Sequence, residues 1–190
     1  AYKLEKGMLW QHSTTCAICA RMVAQRIKYR DCEEAYIAGL LHDIGKIILS
    51  SFAEEQYDQI LEKTKDNKTP FNIAEQEVLG YDHPQIGGKI IEKWNLPPAL
   101  VEAVKFHHQP EKAVENRTLT YIVHLADAIC DMLGIGVGSD GLMYVFEKNT
   151  FTVLGLHEDD VESIMSELVD KTQNGEPSQS ERFVHRNFNV

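Results

Sequence analysis

Seven residues in this chain carry side chains that bind transition metals well, and they come in a set order: His12, the pair His42-Asp43, His83, the pair His107-His108, and Asp127. Imidazole and carboxylate together suit iron, manganese, zinc, nickel or cobalt better than magnesium or calcium. His42-Asp43 lies between Ala38-Gly39-Leu40-Leu41 and Ile44-Gly45-Lys46-Ile47, so two polar residues interrupt an apolar segment. An unpaired carboxylate in an apolar interior is costly, and such a pair needs partners. Taken alone, the dipeptide fits a surface His-Asp pair equally well. The other five residues tip the balance. His12 falls in a first helix, His83 at a helix start, and His107-His108 in the last turn of a later helix. Asp127 sits inside the apolar run Ile122-Val-His-Leu-Ala-Asp-Ala-Ile129. Helix bundles build dinuclear metal sites in this manner, with ligands projecting inward from facing helices.

The elements that must position these residues read as helices. A first is expected over 9–29. Asp31 and Glu34 form a capping box for a second over 32–51, with His42-Asp43 in its middle. A third is expected over 54–65, then a polar Lys-Asp-Asn-Lys-Thr-Pro loop and a short helix over 72–80. At His83-Pro84 the proline takes the first helical position, where its missing N–H costs nothing, and that helix continues to 94. Two more follow, over 98–108, stopped by Pro110, and over 118–133, closed by Gly134. The glycine-rich run 134–141 follows a helix rather than a strand, so it reads as a loop and not as a dinucleotide fingerprint. Residues 142–154 fit a helix or a hairpin, and 158–170 a helix. The expected organisation is one all-α domain over 1–171 and a polar, weakly ordered tail over 172–190.

Bulk composition narrows the function. The 190 residues are 43% hydrophobic and 25% charged, as in an ordinary soluble domain. The formal charge of −10 argues against nucleic-acid binding, which relies on a basic field. A small phosphorylated ligand remains compatible, because bound cations reverse the field locally. No apolar run approaches the roughly 20 residues of a membrane span, and no signal peptide is visible. A cytoplasmic location, with no membrane partner, is the expectation, and the initial Ala1 fits an excised fragment. Cys16, Cys19, Cys32 and Cys130 show no disulfide framework, and Cys16-x-x-Cys19 lacks a second pair to complete a zinc site. They read as reduced packing residues, Cys16 included, although it falls one turn after His12. His157 and His185 read as surface residues.

The words around the ligands resemble the HDOD family of the HD superfamily, related to the metal-dependent HD-GYP phosphohydrolases. They are Leu9-Trp10-Gln11-His12-Ser13, Gly39-Leu-Leu-His-Asp-Ile-Gly-Lys46, Gly80-Tyr-Asp-His-Pro-Gln-Ile-Gly87, Trp94-Asn-Leu-Pro-Pro98, Phe106-His-His-Gln-Pro110 and His124-Leu-Ala-Asp127. The resemblance spans about 9–134. It implies an HD-type helical bundle holding two divalent transition metals, iron or manganese favoured over zinc, nickel or cobalt. His12, His42, Asp43 and Asp127 would hold one; Asp43, His83, His107 and His108 the other, with Asp43 as bridge. Lys46, one helical turn past the His-Asp pair, would meet a substrate phosphate, unless it is a solvated lysine. His124 would support the ligands from behind. Without metal, Asp43 and Asp127 are expected to face each other as like charges and take up protons.

Two departures from the related enzymes matter. The Gly-Tyr-Pro segment of cyclic-di-GMP phosphodiesterases is replaced by Gln109-Pro-Glu-Lys112, and Met8 stands where some of them carry a metal-binding Glu. The family's N-terminal helical lobe is expected to be missing. The resemblance therefore implies a metal-binding bacterial signal-transduction domain, whose partner is a signalling protein or a phosphorylated small molecule. A dinuclear phosphohydrolase and a di-iron redox or oxygenase site are its alternatives.

Overall fold

Asp31 starts the second helix as a cap should: its side chain accepts the amides of Glu33 and Glu34 at 3.1 and 2.9 Å. The reciprocal half of the expected box is replaced, since Glu34 accepts the Tyr29 hydroxyl at 3.0 Å. The computed structural model describes residues 7–52, 56–67, 69–136 and 146–173. Among them it holds helices and no strand. The helices are α1 (Met8–Arg26), α2 (Cys32–Leu41), α3 (Ile44–Phe52), α4 (Tyr57–Asn67), α5 (Phe71–Leu79), α6 (His83–Lys93), α7 (Pro98–Phe106), α8 (Arg117–Met132), α9 (Thr150–Leu154) and α10 (Glu158–Gln173), with one 3-10 turn at Pro110–Lys112. None is long and apolar enough to cross a membrane.

The core forms around α8, which is buried without interruption from Leu119 to Cys130, as an axial helix must be. Its neighbours α1, α2, α7 and α9 close on it. α1 turns Cys16, Ala17, Cys19, Ala20, Val23 and Ala24 inward, and these small residues let α2 come close. A Cβ at Gly39 of α2 would lie only 2.9 Å from the Cys16 carbonyl. Arg26 ties α1 to α10 through Asp160 at 3.0 Å. A smaller core of Leu49, Tyr57, Ile60, Phe71 and Ala74 joins α3, α4 and α5.

One expected helix is two. The segment over 32–51 breaks at His42-Asp43, where α2 ends and α3 begins, and the Lys46 amide closes a tight turn onto the Asp43 carbonyl at 2.9 Å. Adjacent residues on a continuous helix do not share a face. The break lets both side chains turn toward one place. The same happens at His107-His108, which lie beyond the end of α7 rather than in its last turn. Elsewhere the helix ends shift by a few residues. α10 runs through Thr172 to Gln173, and the rest of the expected tail lies outside the described residues, as do 137–141 of the glycine-rich run and 142–145. Of the ambiguous stretch, Thr150–Leu154 is helical.

Candidate metal centre

His12 comes from α1, His42 and Asp43 from the α2–α3 break, and His83 is the first residue of α6. His107 and His108 follow α7, and Asp127 comes from α8. All seven converge, and six of them are buried. His108 alone is partly open, its side chain one-fifth exposed, which places it at the mouth.

Distances divide the cluster in two. His12 Nε2 lies 3.0 Å, and His42 Nε2 3.4 Å, from Asp127 Oδ1. The same two nitrogens lie 3.9 and 3.4 Å from Asp43 Oδ2. On the other side, His83 Nε2 and His107 Nε2 lie 3.3 and 3.9 Å from Asp43 Oδ1. His108 Nε2 is 3.1 Å from His83 Nε2. His12, His42 and Asp127 thus bring their polar atoms together, as do His83, His107 and His108, and a third group of His42, Asp43 and His107 joins the two, with His108 Nδ1 also 3.8 Å from Asp127 Oδ2.

Hydrogen bonds behind the rings aim them. His12 Nδ1 pairs with the Ile135 carbonyl at 3.1 Å, and His42 and His107 Nδ1 with the carbonyls of Gly39 and Val104, both at 2.7 Å. A carbonyl only accepts, so each of these Nδ1 atoms carries a proton, and Nε2 is the ring atom turned to the centre, where a bound cation would take the place of any proton on it. His124 supports the site through the backbone. Its Nδ1 donates to the His107 carbonyl at 2.7 Å while its Nε2 accepts the Glu147 amide at 3.0 Å.

Charge in the metal-free cluster is split unevenly. Burial opposes a charge on His12, but the hydrogen bond and charge of Asp127 prevail and raise it to about 9. Burial opposes His83 as well, yet Glu75 and Asp43 carry it to about 9. His42 is raised too, Asp43 and Asp127 outweighing its burial. Burial and the charge on His42 push His107 down to about 3, and burial with the neighbouring imidazoles lowers His108. Burial would raise both aspartates, but Lys46 and His42 hold Asp43 well below the carboxylate range, and His42 and His12 do the same for Asp127. The expected uptake of protons by two like charges is therefore corrected: the His12 and His42 rings stand between the carboxylates, and the Lys46 ammonium pairs with Asp43.

Lys46 is buried rather than solvated, its Nζ 2.7 Å from Asp43 Oδ2. Glu75 was not anticipated. It is fully buried on α5 and accepts the His83 ring Nδ1 at 2.6 Å. A signal for it exists, since Phe71, Ala74, Glu75 and Val78 fall on one helical stripe and only Glu75 is charged. Cys16, Cys19 and Cys130 are buried in the core.

The residues present fit a metal. Buried polar atoms are ordinarily hydrogen-bonded. Among the described residues five buried side-chain atoms have no hydrogen-bond partner, and four are here: His42 Nε2, His107 Nε2 and both oxygens of Asp43, of which Oδ2 has the Lys46 ion pair. Those four atoms are of the kinds that can ligate a metal ion.

A family model for the HDOD domain matches residues 1–110. The chain belongs to the HDOD family. An HDOD domain protein with unknown function from Geobacter sulfurreducens superposes with a TM-score of 0.73 at 23% identity, over 99% of this chain and 65% of that one. The MmoQ response regulator of Methylococcus capsulatus str. Bath does so with a TM-score of 0.62 at 19% identity, over 87% and 63%. These two likenesses bear on the fold. Ribonuclease Y of Geobacter metallireducens is 28% identical over 121 residues, 64% of this chain and 18% of that protein. The chain spans less than a fifth of the curated relatives it matches first.

Proposed function

We propose that this HDOD domain is a metal-binding signal-transduction module whose metal pair ties its helices into one state. The observation that carries this reading is the two-sided environment of Asp43, with imidazoles of one group facing Oδ2 and those of the other facing Oδ1. A carboxylate so placed can span cations about 3.5–4 Å apart. His12, His42, Asp43 and Asp127 would hold one ion, and Asp43, His83, His107 and His108 the other. Ligands drawn from α1, the α2–α3 break, α6, α8 and the end of α7 would couple metal occupancy to the packing of the whole bundle. The imidazole-rich set favours iron or manganese among the candidates. The partner would be a signalling protein or a small phosphorylated molecule.

Phosphohydrolase activity is the second reading, and Lys46 with the partly open His108 favours it. A bound metal pair would supply Lewis acidity toward a phosphoryl oxygen. Lys46 places a cation beside the bridging carboxylate, and the buried walls exclude water around it. A di-iron redox site would use the same residues.

Metal analysis of protein purified with and without oxygen, combined with a generic phosphoesterase screen, separates these readings. Metal without turnover supports the signalling module. Metal-dependent phosphoester cleavage supports the hydrolase, and loss of metal only in air supports the redox site.

A further inference from the structure

Of His12, His42, His83 and His107, His83 is the one whose Nδ1 is hydrogen-bonded to a carboxylate; those of the other three rest on neutral carbonyls. A single oxygen of Glu75, Oε2, accepts both the ring Nδ1 at 2.6 Å and the backbone N–H at 2.9 Å of His83. That double bond fixes the residue at both ends, while Nε2 is left pointing at Asp43 Oδ1, 3.3 Å away. The group His83, His107 and His108 includes no carboxylate, Asp127 Oδ2 lying 3.8 Å from His108 Nδ1, whereas the group of His12 and His42 includes Asp127 itself, 3.0 Å from His12 Nε2.

We propose that Glu75 is a positioning residue for the second metal site, orienting His83 and supplying from behind the negative charge that Asp127 supplies directly to the first site. A carboxylate on the far nitrogen makes an imidazole a stronger donor and locks its tautomer. The inference rests on the metal-centre reading. Its structural rival is that Glu75 merely satisfies the first amide of α6, an orphan donor at any helix start.

Glu75→Gln separates the two, because its carbonyl oxygen can still accept both N–H groups while the charge is gone. The metal-stripped chain is titrated with cobalt(II), occupancy being read from the visible d–d bands. His83→Ala identifies the phase that belongs to the second site. Glu75→Gln is expected to weaken that phase by roughly 10–100-fold and to leave the other unchanged. Asp82→Ala removes a cap of the same helix, the one accepting the Gln85 amide, while leaving both Glu75 hydrogen bonds to His83 in place, and should lower the melting temperature with far less effect on cobalt affinity than Glu75→Gln. Unchanged affinity in Glu75→Gln, equal weakening of both phases, or an equal loss in Asp82→Ala overturns the proposal alone. No cobalt uptake by the unaltered chain overturns the metal centre and the proposal with it.

Discussion

Asp43 is held from several sides: buried, ion-paired to Lys46, and facing four imidazoles from its two oxygens. Removing a bridge should empty both sites, so Asp43→Ala is expected to lose all bound metal, whereas His83→Ala should keep the first ion. Metal counted per chain checks this, and a full complement in Asp43→Ala would contradict it. In the metal-free state Asp43→Ala also removes the buried carboxylate that pairs with Lys46 and faces His42. Breaking a buried pair costs about 3–5 kcal/mol, which should lower the melting temperature by roughly 10 °C. The seven converging residues and Lys46 were legible in the sequence because imidazole and carboxylate recur there in the order of the family they resemble, and His42-Asp43 and Asp127 interrupt apolar segments. Glu75 was passed over because it stands alone among ordinary helix residues, and its partner His83 becomes visible only when α5 folds back on α6.

At the scale of elements, two helix ends do the positioning. Nothing in Leu40 to Ile47 forbids a continuous helix, and a single helix over 32–51 is what local pattern suggests. The break depends on a tertiary contact instead. Gly45, in the first turn of α3, lies against the start of α6, and a Cβ there would meet the His83 carbonyl at 2.0 Å and the Gly87 amide at 2.9 Å. Backbone cannot yield as a side-chain tip can. Gly45→Ala is therefore expected to cost at least about 1–3 kcal/mol in denaturant unfolding and to reduce metal uptake, although it alters no ligand. Metal content equal to that of the unaltered chain would show that the α3–α6 contact does not set the site. The turn after His107-His108 carries a second expectation. Gln109 and Pro110–Lys112 form a 3-10 turn where cyclic-di-GMP phosphodiesterases carry Gly-Tyr-Pro. Little or no cleavage of that dinucleotide is expected with metal supplied, and turnover on the order of 1 per second would contradict this. The helix starts at Asp31 and His83-Pro84 were legible because capping chemistry is local; the break at His42-Asp43 was not, because the backbone that Gly45 lies against belongs to another helix.

Across the whole molecule, the cluster links protons, metal and fold. His12 and His83 bind protons more tightly folded than unfolded, up to about 9 against an ordinary 6.5. Their contribution to the metal-free fold is full below about pH 6.5 and is lost as pH rises through 9. His107, lowered to about 3, and His108 act in the opposite sense: their contribution is present above about pH 6.5 and falls away as pH drops. Metal binding at His12 and His83 must expel their protons, so affinity should rise over pH 6.5 to 9 as the metal-free fold weakens. The melting-temperature gap between metal-loaded and stripped protein should accordingly be wider at pH 8.5 than at pH 6.5. Equal gaps would mean that these histidines do not receive the metal. The all-helical class was legible from the succession of helical segments and their caps, and the bundle from the family resemblance. The most direct test of the account is equilibrium titration of the stripped chain with manganese(II) or, without oxygen, iron(II), counting ions bound at saturation. About two ions per chain are predicted, falling to none in Asp43→Ala; a chain that binds neither metal would contradict it.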